Sequence, residues 1–150
     1  MKPWKIWALV ADNSKARIVM DLLSDQPSER TIVAPKPLLA GAIMADRPGR
    51  SQSSAGARRS AMEYRTDPVR VRDREFAALV AETFADALKG NRVEGVALAA
   101  PPRMLGDLRS HLPSAVRRLV IAEIDKDLVK LQPAALARRI AEAIPKRPLT

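Results

Sequence analysis

The sequence has no cysteine and only one histidine, His111, among its 150 residues. Without thiols the chain cannot form a disulfide scaffold, a zinc ribbon, an iron–sulfur site or a thiol-dependent active centre. A single histidine also excludes metal sites built from several imidazoles. Neither the GxxxxGK(S/T) spacing of a phosphate-binding loop nor a G-x-G-x-x-G after a strand occurs. We therefore expect a protein that works without a bound cofactor.

Long apolar runs are also missing. The apolar stretch at residues 6–11 is followed by polar and charged residues, and it is shorter than the hydrophobic part of a secretion signal. No stretch approaches the ~20 apolar residues that cross a bilayer as a helix. We expect no membrane insertion and a cytoplasmic location.

Positive charge is abundant. Lys and Arg number 26 against 17 Asp and Glu, which gives a net charge of +9 and a pI near 10.6. Arginine is suited to bidentate phosphate contacts and to stacking. One explanation is a polyanionic partner such as RNA, DNA or an acidic membrane surface. The other is a compositional preference for arginine, with the charge serving solubility.

The length and the 47% of hydrophobic residues predict one domain over residues 1–150. Apolar residues on both faces of 6–11 predict a central strand. Polar turns separate it from two further strands at 16–23 and 31–34. Three strands joined by short turns form an antiparallel meander.

The second half of the chain alternates helices and strands. Apolar residues at helical spacing predict a helix that is capped by Asp73 and ends before Gly90. The next elements are strand 93–99, a helix that opens at Pro101-Pro102, strand 119–124 and helix 133–144. A strand–helix–strand unit gives a parallel pair with a right-handed crossover. The expected fold is a ribonuclease-H-like α/β domain with flanking helices and a five-stranded mixed sheet, an antiparallel meander plus a parallel βαβ unit.

A long basic loop at residues 41–72 interrupts this pattern. Between Asp46 and Arg74, eight arginines stand against four carboxylates, so +4 of the net charge falls in 29 residues. A loop of this length is either functional or a flexible, solvated connection. We expect it to be flexible and to order against RNA phosphates through bidentate arginine contacts. The candidate RNA-binding residues are Arg47, Arg50, Gln52, Arg58, Arg59, Arg65, Arg70 and Arg72.

Catalytic alternatives depend on few residues. The sequence contains no G-x-S-x-G motif whose serine His111 could activate as a general base. The position of His111 near a predicted helix end favours an interaction with the helix dipole. A magnesium-dependent nuclease needs carboxylates that converge at one end of the sheet, and the candidates are Asp12, Glu123 and Asp125. The acidic residues after the last strand are equally typical of a charged turn. We expect no enzymatic activity and keep the nuclease as an alternative.

Several strings resemble the bacterial host attachment protein family, in order and over nearly the whole chain. They are WALVAD at 7–12, Ala16-Arg17, DRPGRS at 46–51, Arg58-Arg59, AAPPRMLGDLR at 99–109 and EIDKDL at 123–128. Membership implies a part in attachment to host cells, which is a phenotype rather than a chemistry. The chain departs from the family pattern at Ser60, where a histidine is expected.

That family is similar to the middle domain of archaeal and eukaryotic class-1 translation release factors. The similarity implies the order of elements given above, with a long loop that in release factors carries Gly-Gly-Gln and positions water in the peptidyl transferase centre. Here Gly49, Arg50 and Ser51 precede Gln52, without a Gly-Gly pair, so peptide release is not expected. Ribosome-rescue relatives also lack the motif and still bind ribosomes. The resulting hypothesis is a non-catalytic factor that binds RNA, on the ribosome or on tRNA. The alternative is an indirect role in attachment through protein or surface contacts.

Overall fold

Five strands form one mixed sheet in the computed structural model, which describes residues 4–35 and 67–146. The strands are β1 (Ile6–Ala11), β2 (Lys15–Met20), β3 (Ser28–Val33), β4 (Gly95–Ala99) and β5 (Val120–Ile124). They lie in the order β3-β2-β1-β4-β5. β1 with β2, and β2 with β3, pair antiparallel, whereas β1 with β4, and β4 with β5, pair parallel. The predicted five-stranded mixed sheet is confirmed, and its ribonuclease-H-like assignment stays a prediction.

Helices cover both faces of this sheet. Within the described ranges they are α1 (Pro68–Leu88), α2 (Pro102–His111), α3 (Ser114–Arg117) and α4 (Pro133–Ala143). α1, α2 and α3 pack on one face and α4 packs on the other, which gives three layers. The four-residue α3 was not predicted, because a single turn leaves no periodic apolar pattern.

Strand β1 lies at the centre of the fold, and all six of its residues are buried. Trp7 and Leu9 face the layer of α1 and α2, while Ile6, Ala8 and Val10 face α4. A strand covered on both faces must be apolar at every position. The continuous apolar run therefore indicated the central strand correctly.

Helix α1 begins six positions earlier than the sequence predicted. The Asp67 side chain accepts a hydrogen bond of 2.9 Å from the backbone N–H of Val69, and Pro68 occupies the first helical position. Asp73, the predicted N-cap, lies inside the helix, and residues 68–72 are helical rather than part of the loop. The cause is visible in the sequence, because an Asp-Pro pair supplies both a capping oxygen and a residue with a helical φ. The far end agrees with the prediction, since Gly90 follows the helix with φ 80°.

The connections bring several chain ends to one side of the sheet, here called the C-terminal edge, where β1, β4 and β5 end. β3 runs in the same direction as β1 and also ends there, and Ala34 bonds the carbonyl of Ser14 in the β1–β2 turn. α1 crosses the face of the sheet and leads to the start of β4 at the opposite edge, so α1 begins at the C-terminal edge. α2 follows the end of β4 and therefore begins at the C-terminal edge too. The described chain thus stops at Pro35 and resumes at Asp67 near the edge at which two helices begin.

Candidate nucleic-acid interface

The candidate RNA-binding residues divide into two groups. Outside the described residues lie Arg47, Arg50, Gln52, Arg58, Arg59 and Arg65. Arg70 and Arg72 lie in the first two turns of α1. The structure therefore gives a position to the last two members of the predicted interface.

Arg70 is held in an ion pair that joins α1 to α2. Its two terminal nitrogens donate to the two carboxylate oxygens of Asp107 at 2.5 and 2.6 Å. The side chain of Asp107 is 10% exposed and that of Arg70 is 25% exposed. The hydrogen bond with Asp107, followed by the charges of Asp107 and Asp73, raises the pKa of Arg70 against the opposing effect of desolvation. Arg70 thus fixes the start of α1 against α2.

Arg72 differs from Arg70. It is exposed, and it forms no ion pair with any described residue. On α1 it lies two positions from Arg70, which is about 200° around the helix, so the two side chains leave from nearly opposite sides. Arg72 can therefore meet a partner without breaking an ion pair with any residue in 4–35 or 67–146.

The net charge is distributed unevenly along the chain. The described ranges hold 18 Lys and Arg against 15 Asp and Glu, a net charge of +3. Residues 36–66 hold six basic residues against two acidic ones, a net charge of +4, and Lys2 and Arg147 supply the rest of the +9. The described fold is therefore close to electrically balanced, and most of the excess belongs to the segment between Pro35 and Asp67 and to the ends of the chain.

Two of the three carboxylates considered for a magnesium site, Asp12 and Glu123, have other partners, while the third, Asp125, follows β5 in the turn. Asp12 Oδ1 accepts hydrogen bonds from the backbone N–H groups of Ser14 and Lys15, both at 2.8 Å, and so closes the β1–β2 turn. Glu123 accepts two bonds from Arg109, at 2.7 and 3.2 Å. β4 separates their strands, so the backbones are about 10 Å apart at two strand spacings. Among the described residues no group of three or more His, Asp or Glu side chains is arranged to hold a metal ion.

Two further arginines have structural partners that sequence reasoning missed. Arg17, in the middle of β2, is 6% exposed and contacts Glu29 together with two backbone carbonyls near α4. Arg109 pairs with Glu123 of β5, and that hydrogen bond and charge raise the pKa of Arg109. An arginine inside an apolar strand is a signal of a buried partner, because an unpaired buried charge is costly. No local pattern in the sequence indicated that Arg109 of α2 pairs with Glu123 of β5.

His111 occupies the end of α2, as predicted. Its Nδ1 lies 2.9 Å from the backbone carbonyl oxygen of Asp107, one turn earlier. The ring borders a shallow groove of about 340 Å³ between α1 and the end of α2. That groove is lined by Ala78, Glu82, Ala85, Asp86, Lys89, His111 and Pro113. Its lining contains no serine, threonine or cysteine for His111 to activate, and His111 completes the end of its helix.

These features define a three-layer α/β domain whose basic excess lies largely outside the described fold. The family model described as "protein required for attachment to host cells" matches residues 7–140, so the chain belongs to this family. The family resemblance seen in the sequence is confirmed. No curated protein matches the chain. No helix among the described residues is long and apolar enough to span a bilayer.

The fold also occurs among solved structures. The chain is similar to the crystal structure of an archaeal translation termination factor, aRF1, with a TM-score of 0.52 and 11% sequence identity. The match covers 93% of this chain and 38% of that chain. The chain thus spans well under half the length of the factor, and at this identity the likeness shows the fold alone. The release-factor-like fold expected from the sequence is confirmed.

Proposed function

We propose that the protein is a non-catalytic RNA-binding factor of the ribosome or of tRNA, and that arginines between residues 46 and 74 carry the binding. The distribution of charge is the observation that carries this proposal. The described fold is nearly balanced at +3, whereas 36–66 holds three times as many basic as acidic residues. A general compositional preference for arginine would spread the excess evenly, so its concentration favours a polyanionic partner.

The place where this segment joins the fold supports the proposal. Both flanking positions, Pro35 and Asp67, lie near the C-terminal edge of the sheet. The Arg70–Asp107 ion pair and the Asp67 cap fix the start of α1 there. Arginines close to a fixed helix start pay less conformational entropy when they bind than arginines on a free tail.

The interaction is with phosphates rather than with bases. Of the five aromatic residues, Trp7, Phe76 and Phe84 are buried in the core and Trp4 is half-buried, so Tyr64 is the one aromatic residue within 46–74. A base-reading surface needs exposed rings on which nucleobases stack. The arginines supply charge and bidentate hydrogen bonds, which recognise the backbone of any RNA sequence.

The structural neighbour suggests where the RNA is found. That neighbour is a translation termination factor, and the match covers almost the whole of this chain. The chain has Gly49-Arg50-Ser51-Gln52 and no Gly-Gly-Gln, so we propose binding without hydrolysis of the peptidyl ester. Glycine adopts backbone angles that strain serine, and a simple replacement of Gly-Gly therefore does not preserve that loop.

A salt titration of RNA binding tests the proposal. Binding of ribosomes and of bulk tRNA is measured over a series of KCl concentrations for the wild type and for Arg58→Ala/Arg59→Ala. Each phosphate contact contributes about 0.7–0.9 to the slope of log affinity against log salt, so we expect the slope to fall by roughly two contacts. Arg117→Ala/Arg118→Ala is the matched control, because it removes two exposed arginines at the other edge of the sheet. Equal slopes for the wild type and the loop variant would contradict the proposal.

The family description favours a second candidate, an indirect role in attachment through protein or surface contacts. The two candidates differ in what copurifies with the protein. Ribosomal RNA in the purified material at low salt favours the first. Retention by membranes or by a protein after treatment with ribonuclease favours the second.

A further inference from the structure

Strand β3 forms one end of the sheet, and its outer edge has no partner strand within residues 4–35 and 67–146. We infer that this edge pairs with β3 of a second copy of the chain, in antiparallel orientation, so that two five-stranded sheets form one continuous sheet. The inference does not depend on RNA binding, because the backbone groups of a strand edge form the contact.

The hydrogen bonds of β3 show which of its backbone groups face outward. The N–H of Ala34 donates to the carbonyl of Ser14 at 2.8 Å, on the side of β2. Inward and outward positions alternate along an antiparallel strand. From the register of β2 with β3, the N–H and C=O groups of Glu29, Thr31 and Val33 therefore point away from β2. No strand in the described ranges accepts or donates to these groups.

The outer edge of β3 lacks the features by which edge strands avoid pairing. β3 pairs with β2 over Ser28–Val33 without a bulge, and it contains neither proline nor lysine. At the opposite end of the sheet, the ladder between β4 and β5 is interrupted by a register shift between Val96 and Ala97. Bulges, prolines and charged side chains protect edges, and a regular edge without them is a template for another strand.

The two charged residues of β3 do not block such pairing. Glu29 accepts two hydrogen bonds from Arg17, both at 2.8 Å, so its charge is compensated within the fold. Arg30 shares a sheet face with Ile32, which packs against the α1 layer, and the backbone groups of both residues face β2. A partner strand therefore meets no uncompensated carboxylate at this edge.

Apolar side chains are exposed beside the same edge. Val33 is 67% exposed, which is the highest value among the large apolar residues that the structure describes. Leu131 is 37% exposed, and its backbone carbonyl accepts from Arg17, the residue of β2 opposite Thr31. Burial of such side chains on association adds an apolar contribution to the backbone hydrogen bonds.

A second copy fits this edge because the edge is complementary to itself. A two-fold axis at Thr31 places Thr31 opposite Thr31 of the second copy, and Glu29 opposite its Val33. All three outward-facing residues then belong to hydrogen-bonded pairs, and the two strands exchange about six backbone hydrogen bonds. Arg30 lies opposite Ile32 of the second copy, so no like charges are directly opposed.

The charges at the two ends of β3 agree with this arrangement. The β2–β3 turn, at one end, contains Asp21 and Asp25 and no basic residue. At the other end, the exposed Lys15 lies opposite Val33. The two-fold axis brings the acidic end of each copy to the basic end of the other, which favours a second copy over a strand of arbitrary charge.

The oligomeric state of the full chain tests the inference. Analytical ultracentrifugation, after treatment with ribonuclease, should show a shift from the 16.4 kDa of one chain towards twice that mass as the concentration rises. Thr31→Pro removes the central outward N–H, and Thr31→Lys opposes two like charges. Each should raise the dissociation constant of the dimer roughly tenfold or more. Thr31→Val keeps the N–H and the branched side chain, so it is the matched control and should keep the dimer.

A single introduced cysteine reports the register, because the sequence has no cysteine. Thr31→Cys places two thiols in one cross-strand pair at a Cα separation of about 5.5 Å, which a disulfide can bridge. Ser28→Cys is the control on the same strand, since the two-fold axis places its two copies about 20 Å apart. With oxidised glutathione as the oxidant, we expect a covalent dimer of Thr31→Cys and none of Ser28→Cys.

Several outcomes would overturn the inference. A wild type that stays monomeric at the highest concentration refutes the second copy and leaves the edge to a strand of another protein. A dimer that persists in both Thr31→Pro and Thr31→Lys forms through another surface. Loss of the dimer in Thr31→Val, or equal cross-linking of Ser28→Cys, would also contradict pairing centred on Thr31. Matching circular dichroism spectra and thermal midpoints at low concentration establish that the variants are folded.

Discussion

The guanidinium of Arg17 donates to both carboxylate oxygens of Glu29, each at 2.8 Å, at a site where Arg17 is only 6% exposed. The same guanidinium donates to the backbone carbonyls of Val129 at 2.9 Å and Leu131 at 2.6 Å. One side chain of β2 thus connects the adjacent strand β3 to the turn that leads into α4. The α4 layer is held to the sheet by this contact as well as by apolar packing.

Replacement of Arg17 by Met should lower the free energy of unfolding by about 3–5 kcal/mol, because it leaves a partly buried carboxylate and two carbonyls without their donor. Urea unfolding measures the loss. The double variant Arg17→Met/Glu29→Leu should be more stable than Arg17→Met, since the uncompensated charge is gone. Arg30→Met changes an exposed neighbour on β3 and should alter stability by less than about 0.5 kcal/mol. A double variant as unstable as the single one would show that the carbonyls, and not Glu29, dominate.

The start of α1 can be tested with two aspartates. Asp67→Ala removes the side-chain cap and should cost about 1 kcal/mol of stability. Asp73→Ala, at the predicted cap, should cost less than about 0.5 kcal/mol because no backbone N–H depends on it. The midpoint of chemical unfolding distinguishes the two, and the reverse order of losses would place the helix start after Asp73.

Replacement of two glycines by alanine should change the stability of the protein in opposite directions. A Cβ at Gly95 would lie 2.8 Å from Ile6 Cδ1 and 2.9 Å from Ile121 Cδ1, so Gly95→Ala should destabilise by about 1–2 kcal/mol through overpacking. A Cβ at Gly106, inside α2, meets no atom within 4 Å. Gly106→Ala should therefore stabilise the protein by about 0.5–1 kcal/mol through the lower backbone entropy of the unfolded chain. Thermal unfolding of both variants gives the signs directly, and a stabilising Gly95→Ala would mean that the isoleucine side chains move aside without cost.

Magnesium should leave the thermal midpoint of the protein unchanged. Asp12 and Glu123 already have hydrogen-bonding partners, and their strands are separated by β4. A bound ion would raise the midpoint in proportion to its occupancy, by mass action on the folded state. Asp12→Asn keeps an oxygen that can close the β1–β2 turn and removes the charge that an ion requires. A magnesium-dependent increase of the thermal midpoint in the wild type that disappears in Asp12→Asn would support the nuclease hypothesis.

The sheet could be predicted from the sequence because the patterns that indicate its strands and turns are local. The apolar run of β1, the polar turns of the meander and the proline-led helix after β4 each follow from a few consecutive residues. The start of α1 was missed although Asp67-Pro68 is a local signal, because a basic, glycine-rich stretch was extended as loop up to the first strong apolar periodicity. The prediction relied on the composition of this stretch, although the Asp67-Pro68 capping motif marks the start of the helix more directly.

The side-chain contacts could not be predicted from the sequence in the same way. Arg17 is 112 residues from Val129, and Arg70 is 37 residues from Asp107. Such partners depend on which layers the topology brings together, and no spacing rule reports them. For this reason Arg70 entered the predicted interface as a free cation, whereas the fold uses it to join two helices.

The position of β1 also bears on how the chain acquires its structure. Its antiparallel partner β2 follows after a short turn, but its parallel partner begins at Gly95, 89 positions after Ile6. Closing so long a loop is slow relative to forming a hairpin. During synthesis the meander is complete well before β4 leaves the ribosome, and until then one whole side of an entirely apolar strand lacks hydrogen-bonding partners. Such an edge pairs readily with other chains. We therefore expect aggregation to compete with folding of the nascent protein until β4 pairs with β1.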